Sequence, residues 1–123
     1  MAAIAAVRVS VELTGLGEVL DLAQKFNSST TPTAANYQYR TQATTNTAEA
    51  LALGDVSTVT GVWIKAVSKE LAVDLDYVSA FDSDVSIPAG EANYFSKPAG
   101  TVYVKNETAG EVCVYEYLVI GTT

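Results

Sequence analysis

The sequence predicts an all-β chain folded as an antiparallel β-sandwich, jelly-roll-like or immunoglobulin-like. Three observations carry that prediction. About eight to ten short runs rich in β-formers follow one another, with turn signals every eight to twelve residues. Most of these runs alternate apolar and polar side chains with the period of two that a half-buried strand requires. No segment joins helical periodicity to the length that an isolated helix needs. The 123 residues show no linker composition and no internal repeat, so 1–123 reads as a single domain with length for one real core.

In order along the chain, "MAAIAAV" is apolar but lacks a basic leader and is too short for a signal peptide or a membrane span. Residues 1–6 read as an N-terminal arm, with Ile4 and Val7 expected against the sheet or a neighbouring subunit. "VRVSVEL" places Val7, Val9, Val11 and Leu13 on one face and Arg8, Ser10 and Glu12 on the other, the pattern of a half-buried strand. "TGLG" turns the chain. "EVLDLAQKF" suits a helix through Leu16, Val19, Leu20 and Ala23 and a strand through Leu20 and Leu22; its neighbours decide for a strand. "NSSTTPTAAN" is a loop broken by Pro32. "YQYRTQATTNT" sets Tyr37, Tyr39 and Thr41 on one side. "AEALAL" is locally the best helix candidate, too short to stand alone and ended by Gly54-Asp55.

"TVTGVWIKAVSKELAVDLDY" carries two alternating runs. Val62, Ile64 and Ala66 oppose Trp63 and Lys65, and then Leu71, Val73, Leu75 and Tyr77 face inward while Asp74 and Asp76 face out. The short polar connection between the runs predicts a hairpin. Pro88 and Gly90 split "VSIPAGEANYF" into two short strands. "TVYVK", the loop "NETAG" and "EVCVYEYLVI" predict a closing hairpin.

The composition restricts function. A net charge of −7 opposes binding to nucleic acid and to anionic membrane surfaces. With no histidine, the chain lacks the commonest general base and metal ligand. A single cysteine cannot form an internal disulfide, which suits synthesis in a cytoplasm. Charged residues make up 17% and hydrophobic residues 49%, a low charge share that points to surface covered by other chains.

Candidate chemistry is sparse. Asp74, Asp76, Asp82 and Asp84 cluster, but without the spacing of a calcium loop they read as a solvated face. Cys113 lies between Val112 and Val114 and reads as a buried, inert thiol. The glycines of "LTGLG" and "PAGE" match no phosphate loop. The sequence therefore predicts a non-enzymatic chain with no catalytic residue, no cofactor and no metal. Its seven tyrosines and Trp63 read as core and interface anchors, with a sugar-binding groove as the alternative. In the last strand Val112, Val114, Leu118 and Ile120 form one face, and Cys113, Tyr115, Tyr117 and Val119 the other. A strand apolar on both faces needs cover on both. The sandwich core supplies one; a neighbouring subunit met by Tyr115 and Tyr117 is expected to supply the other.

From Thr47 to Thr123 the chain runs through "ALALGDVST", "GVWIKAV", alternating acids, "VSIPAGEANYF", "TVYVK" and a closing "CVYEYLVIG". This layout resembles the small β-sandwich virion proteins of tailed bacteriophages. The resemblance implies a structural protein, foremost a capsid decoration or cement protein assembling as symmetric oligomers on the particle. Its partners would be copies of itself and other virion proteins such as the major capsid protein. It implies no cofactor and a location in the virion after synthesis in the host cytoplasm. Tail, baseplate or fibre components acting as receptor- or carbohydrate-binding modules share the layout. On the structural reading the contact residues are Ile4, Val7, Trp63, Tyr115 and Tyr117.

Overall fold

The structure, a computed structural model, describes residues 3–28, 30–42 and 47–123. Met1 and Ala2 of the expected arm lie outside them, as do Ser29 of the first loop and 43–46 of the run that follows. The strands are β1 (Ala6–Leu13), β2 (Leu20–Asn27), β3 (Ala34–Gln42), β4 (Glu49–Ala50), β5 (Thr58–Ala66), β6 (Leu71–Tyr77), β7 (Val85–Ile87), β8 (Ala92–Ser96), β9 (Thr101–Asn106) and β10 (Cys113–Thr122). One sheet has the order β3-β10-β5-β8, a second β4-β9-β6-β7, and β1 and β2 form a separate pair. Every pairing is antiparallel. "AEALAL", the helix candidate, contributes the short edge strand β4 and coil.

From β3 onward the chain changes sheet at every connection except β6 to β7. Eight strands in two such sheets make a jelly roll. Two expected hairpins are therefore corrected. β5 and β6 lie in opposite sheets, and so do β9 and β10. Each pair has apolar alternation on both members, which fits edge-to-edge pairing and equally fits two strands facing each other across one core. The second arrangement buries more: Val62 and Ile64 of β5 join Leu71 and Val73 of β6 in the same buried cluster.

The core lies between the sheets, and β10 supplies its largest members. Cys113, Tyr115, Tyr117 and Val119 are all fully buried. Tyr115 and Tyr117, expected at a subunit contact, are thus corrected to core residues of this chain. Their rings stack with centroids 6.0 Å apart. Both hydroxyls find partners on the segment around β4: Tyr117 accepts the Ala52 N–H at 2.9 Å and Tyr115 donates to Glu49 at 3.4 Å. A buried phenol can stay in a core only when so satisfied. The even face of β10 is covered only in part by the chain itself: Ile120 is buried, Val114 and Leu118 are half-buried, and Val112, just before the strand, is exposed. Leu118 and Ile120 line a groove with Ile4 and its neighbours.

Two register shifts interrupt the ladders. Opposite the end of β5 the pairing of β10 shifts between Ile120 and Gly121. A Cβ on Gly121 would lie 1.9 Å from the Thr58 carbonyl oxygen. In β6 the register with β9 shifts between Asp74 and Tyr77, a β-bulge. The extra residue turns Tyr77 to the outer side, where it stacks on Tyr103 at 3.6 Å instead of facing inward with Leu71 and Val73.

Gly121→Ala should destabilise the fold by about 1–3 kcal/mol, because backbone must move to admit the methyl group; the urea midpoint measures this. Tyr117→Asp should leave little folded protein, since it buries a carboxylate where a ring packed. Circular dichroism at neutral pH checks it: a native spectrum would contradict the core assignment.

Candidate functional site

The hairpin β1-β2 projects from the sandwich. "TGLG" makes its turn, with Gly15 at φ 92° and Gly17 at φ 107°, values that glycine reaches without strain. The register places Val7 opposite Phe26, Val9 opposite Gln24, Val11 opposite Leu22 and Leu13 opposite Leu20. Directly opposite residues share a face. One face of the hairpin is therefore almost wholly apolar. The strand alternation of "VRVSVEL" is correct, but its half-burial is not: Val11 is 60% and Leu22 67% exposed. Only the root is covered. Val7 and Phe26 are half-buried, and the Phe26 ring meets Tyr94 edge-on at 6.2 Å.

The opposite face carries the charges, in rows of like sign. Arg8 stands opposite Lys25, and Glu12 opposite Asp21. Within the hairpin both rows repel. A two-stranded ribbon is marginal in water even without such a cost. Among the described residues nothing outside the hairpin covers its outer half.

Beneath the root, the register aligns Tyr37, Leu118, Trp63 and Tyr94 in one row across the outer face of the β3-β10-β5-β8 sheet. Gly61 lets the Tyr94 ring lie flat along it: a Cβ there would sit 2.2 Å from the Tyr94 hydroxyl. Tyr37 is 55% exposed. Its hydroxyl donates to Glu116, a bond that pushes the phenol above its ordinary pKa. Between β1 and this row runs a groove of about 540 Å³, lined by Val7, Ser10, Trp63, Tyr94 and Leu118 among others. Of the expected contact residues, Val7 and Trp63 meet at this groove and Ile4, 72% exposed, stands beside the neighbouring one. Tyr115 and Tyr117 lie on the other side of the sheet. Sequence reading missed Phe26, Tyr94 and the outer hairpin. The like-charged rows become visible only when the register is known.

The aspartates form a different kind of site. Asp74 is only 1% exposed, a correction to its expected solvent-facing place. Its carboxylate accepts the N–H of Asp76 at 3.0 Å and of Asp82 at 2.9 Å, while Asp84 accepts that of Leu75 at 2.8 Å. Oxygens of Asp74, Asp76 and Asp84 lie within 4.8 Å of one another. Burial opposes ionisation of Asp74, but the Asp82 and Asp76 amides outweigh it and hold its pKa below the ordinary value. Asp76, hydrogen-bonded to Asp74 and facing Asp84, is pushed up. Of these two carboxylates, Asp76 is therefore the easier to protonate. It pins the loop between β6 and β7 over the sheet, where Phe81 lies against Lys105. Cys113 is fully buried, and burial pushes its thiol up, away from the reactive thiolate.

Asp74→Asn should cost about 1–3 kcal/mol near neutral pH, because one amide loses its acceptor. A depressed carboxylate contributes above its unfolded pKa, about 3.9, and loses that contribution as pH falls through the folded value. The gap between wild type and variant should therefore narrow in denaturant titrations as the pH falls below the ordinary carboxylate range and through the lowered folded value. Comparison of the chain with protein families, with curated proteins and with solved structures returned no match.

Proposed function

We propose that this chain is a non-enzymatic structural protein of a phage virion, a capsid decoration or cement protein that works in symmetric copies on the particle. The single observation that carries the reading is the hairpin, whose apolar face stands in solvent along its outer half. Large apolar faces on soluble domains mark contact surfaces. Covering Val11, Leu13, Leu20 and Leu22 would contribute about 1.5–3 kcal/mol for each side chain fully transferred. The resemblance of Thr47–Thr123 to phage virion sandwiches supports the particle as the place of assembly. Jelly rolls serve viral capsid and lectin domains alike, so the fold by itself supports no choice between them.

A second reading, a fibre or baseplate module that binds glycan, rests on the row of Tyr37, Trp63 and Tyr94. The two readings separate by mutation. Val11→Asp with Leu22→Asp should leave the sandwich folded and abolish co-sedimentation with emptied capsids. Tyr37→Ala should leave capsid binding intact. A wild-type chain that does not co-sediment with emptied capsids but binds glycan, with that binding lost in Tyr37→Ala, would decide for the fibre module.

A further inference from the structure

We propose that the hairpin pairs with the hairpin of a second copy of this chain, β1 against the partner's β1, antiparallel about a two-fold axis at Ser10. This rests on the reading of the hairpin as an assembly element and adds the identity and register of its partner. Four observations lead to it.

The first is the free edge. Among the described residues β1 pairs only with β2, so its other edge is open. Ser28 donates its N–H to the Ala5 carbonyl, and residues 5 and 28 continue the β1-β2 register. Antiparallel ladders alternate hydrogen-bonded and non-bonded pairs. Odd-numbered residues of β1 therefore turn their backbone groups toward β2. Ala6, Arg8, Ser10 and Glu12 turn theirs to the open edge. Pairing Ser10 with the partner's Ser10 brings these outward groups together as hydrogen-bonded pairs.

The second is charge. In that register Arg8 stands opposite the partner's Glu12, and Glu12 opposite the partner's Arg8. A slip of two residues either way removes these matches. A slip of four sets Arg8 against Arg8 or Glu12 against Glu12. Like charges repel within one hairpin and are matched across two, and opposite-charge cross-strand pairs stabilise a sheet. The pattern is self-complementary, as an isologous two-fold contact requires.

The third is the apolar face. The same register sets Val9 opposite the partner's Val11 and Val7 opposite the partner's Leu13, which makes one continuous apolar surface on a four-stranded sheet. The fourth is the groove. Val7 and Phe26 turn that surface toward the sandwich, with Phe26 on Tyr94. The partner's Leu13, beside Val7, enters the groove of about 540 Å³ lined by Trp63, Tyr94 and Leu118. Each hairpin tip, uncovered by its own chain, is thus covered by the other. The same exchange leaves each open β1 edge paired, removing a template for aggregation.

Sedimentation equilibrium of the full chain tests this together with Ser10→Cys. Cα atoms of a hydrogen-bonded antiparallel pair lie about 5.5 Å apart, within disulfide reach. Mild oxidation should therefore give a covalent dimer with Ser10→Cys and none with wild type, whose one thiol is buried. Arg8→Glu and Glu12→Arg should each weaken the dimer roughly tenfold, and the double variant should restore it. Each single change removes a repulsion inside the hairpin, so tighter association of the single variants would overturn the proposal. So would a wild-type monomer, a double variant no better than the singles, or failure of Ser10→Cys to cross-link. Emptied capsids keep the two readings apart. A monomer that binds capsids through the hairpin overturns the pairing and leaves the virion role standing. A dimer that ignores capsids upholds the pairing and overturns the virion role.

Discussion

The fold depends on one strand whose backbone and side chains are fully committed. β10 is hydrogen-bonded along both edges, to β3 and to β5, and its odd face supplies Tyr115, Tyr117 and Val119 to the core. The two phenols reach across the sandwich to Glu49 and Ala52. The second sheet is therefore tied to the first by hydrogen bonds as well as by apolar contact. A second polar link lies beside the Tyr115 contact. Gln42 of β3 is buried, accepts the Asn106 N–H of β9 and donates to the Thr47 and Val104 carbonyls. Asn106 in turn binds the backbone of Thr108 and Glu111, shaping the crossing into β10. Loss of β10 would open both halves of the core.

Polar groups in this protein follow two different economies. Inside the sandwich every buried charge or amide noted above has its partner in the same chain. Asp74 is the clearest case, a buried carboxylate held by two backbone amides. Such groups narrow the choice of conformation at modest net stability. The hairpin shows the reverse. Its charges repel their neighbours and its apolar side chains meet water. Local frustration is confined to one protruding element, on a body otherwise well satisfied, and that element is the one to which the proposed assembly is assigned.

How far the sequence could be read follows from the range of each interaction. Strand positions and inward faces came from alternation, a property of a few adjacent residues; Val62, Ile64 and Ala66 lie inside as their spacing required. The all-β class, the turns at "TGLG" and "PAGE" and the burial of Cys113 were determined the same way. Partner choice was not. "GVWIKAV" and "ELAVDLDY" alternate identically whether they pair at their edges or face each other across a core, and only packing of the whole chain placed them in opposite sheets. The bulge after Asp74 reversed Tyr77, and the loop that Asp74 pins buried the aspartate itself, both consequences of contacts distant in sequence. Tyr115 and Tyr117 were legible as an apolar face but not as the core, because both faces of β10 are apolar. The hairpin is the converse case: its alternation foretold burial, and the tertiary structure left it in solvent because the jelly roll closes without it.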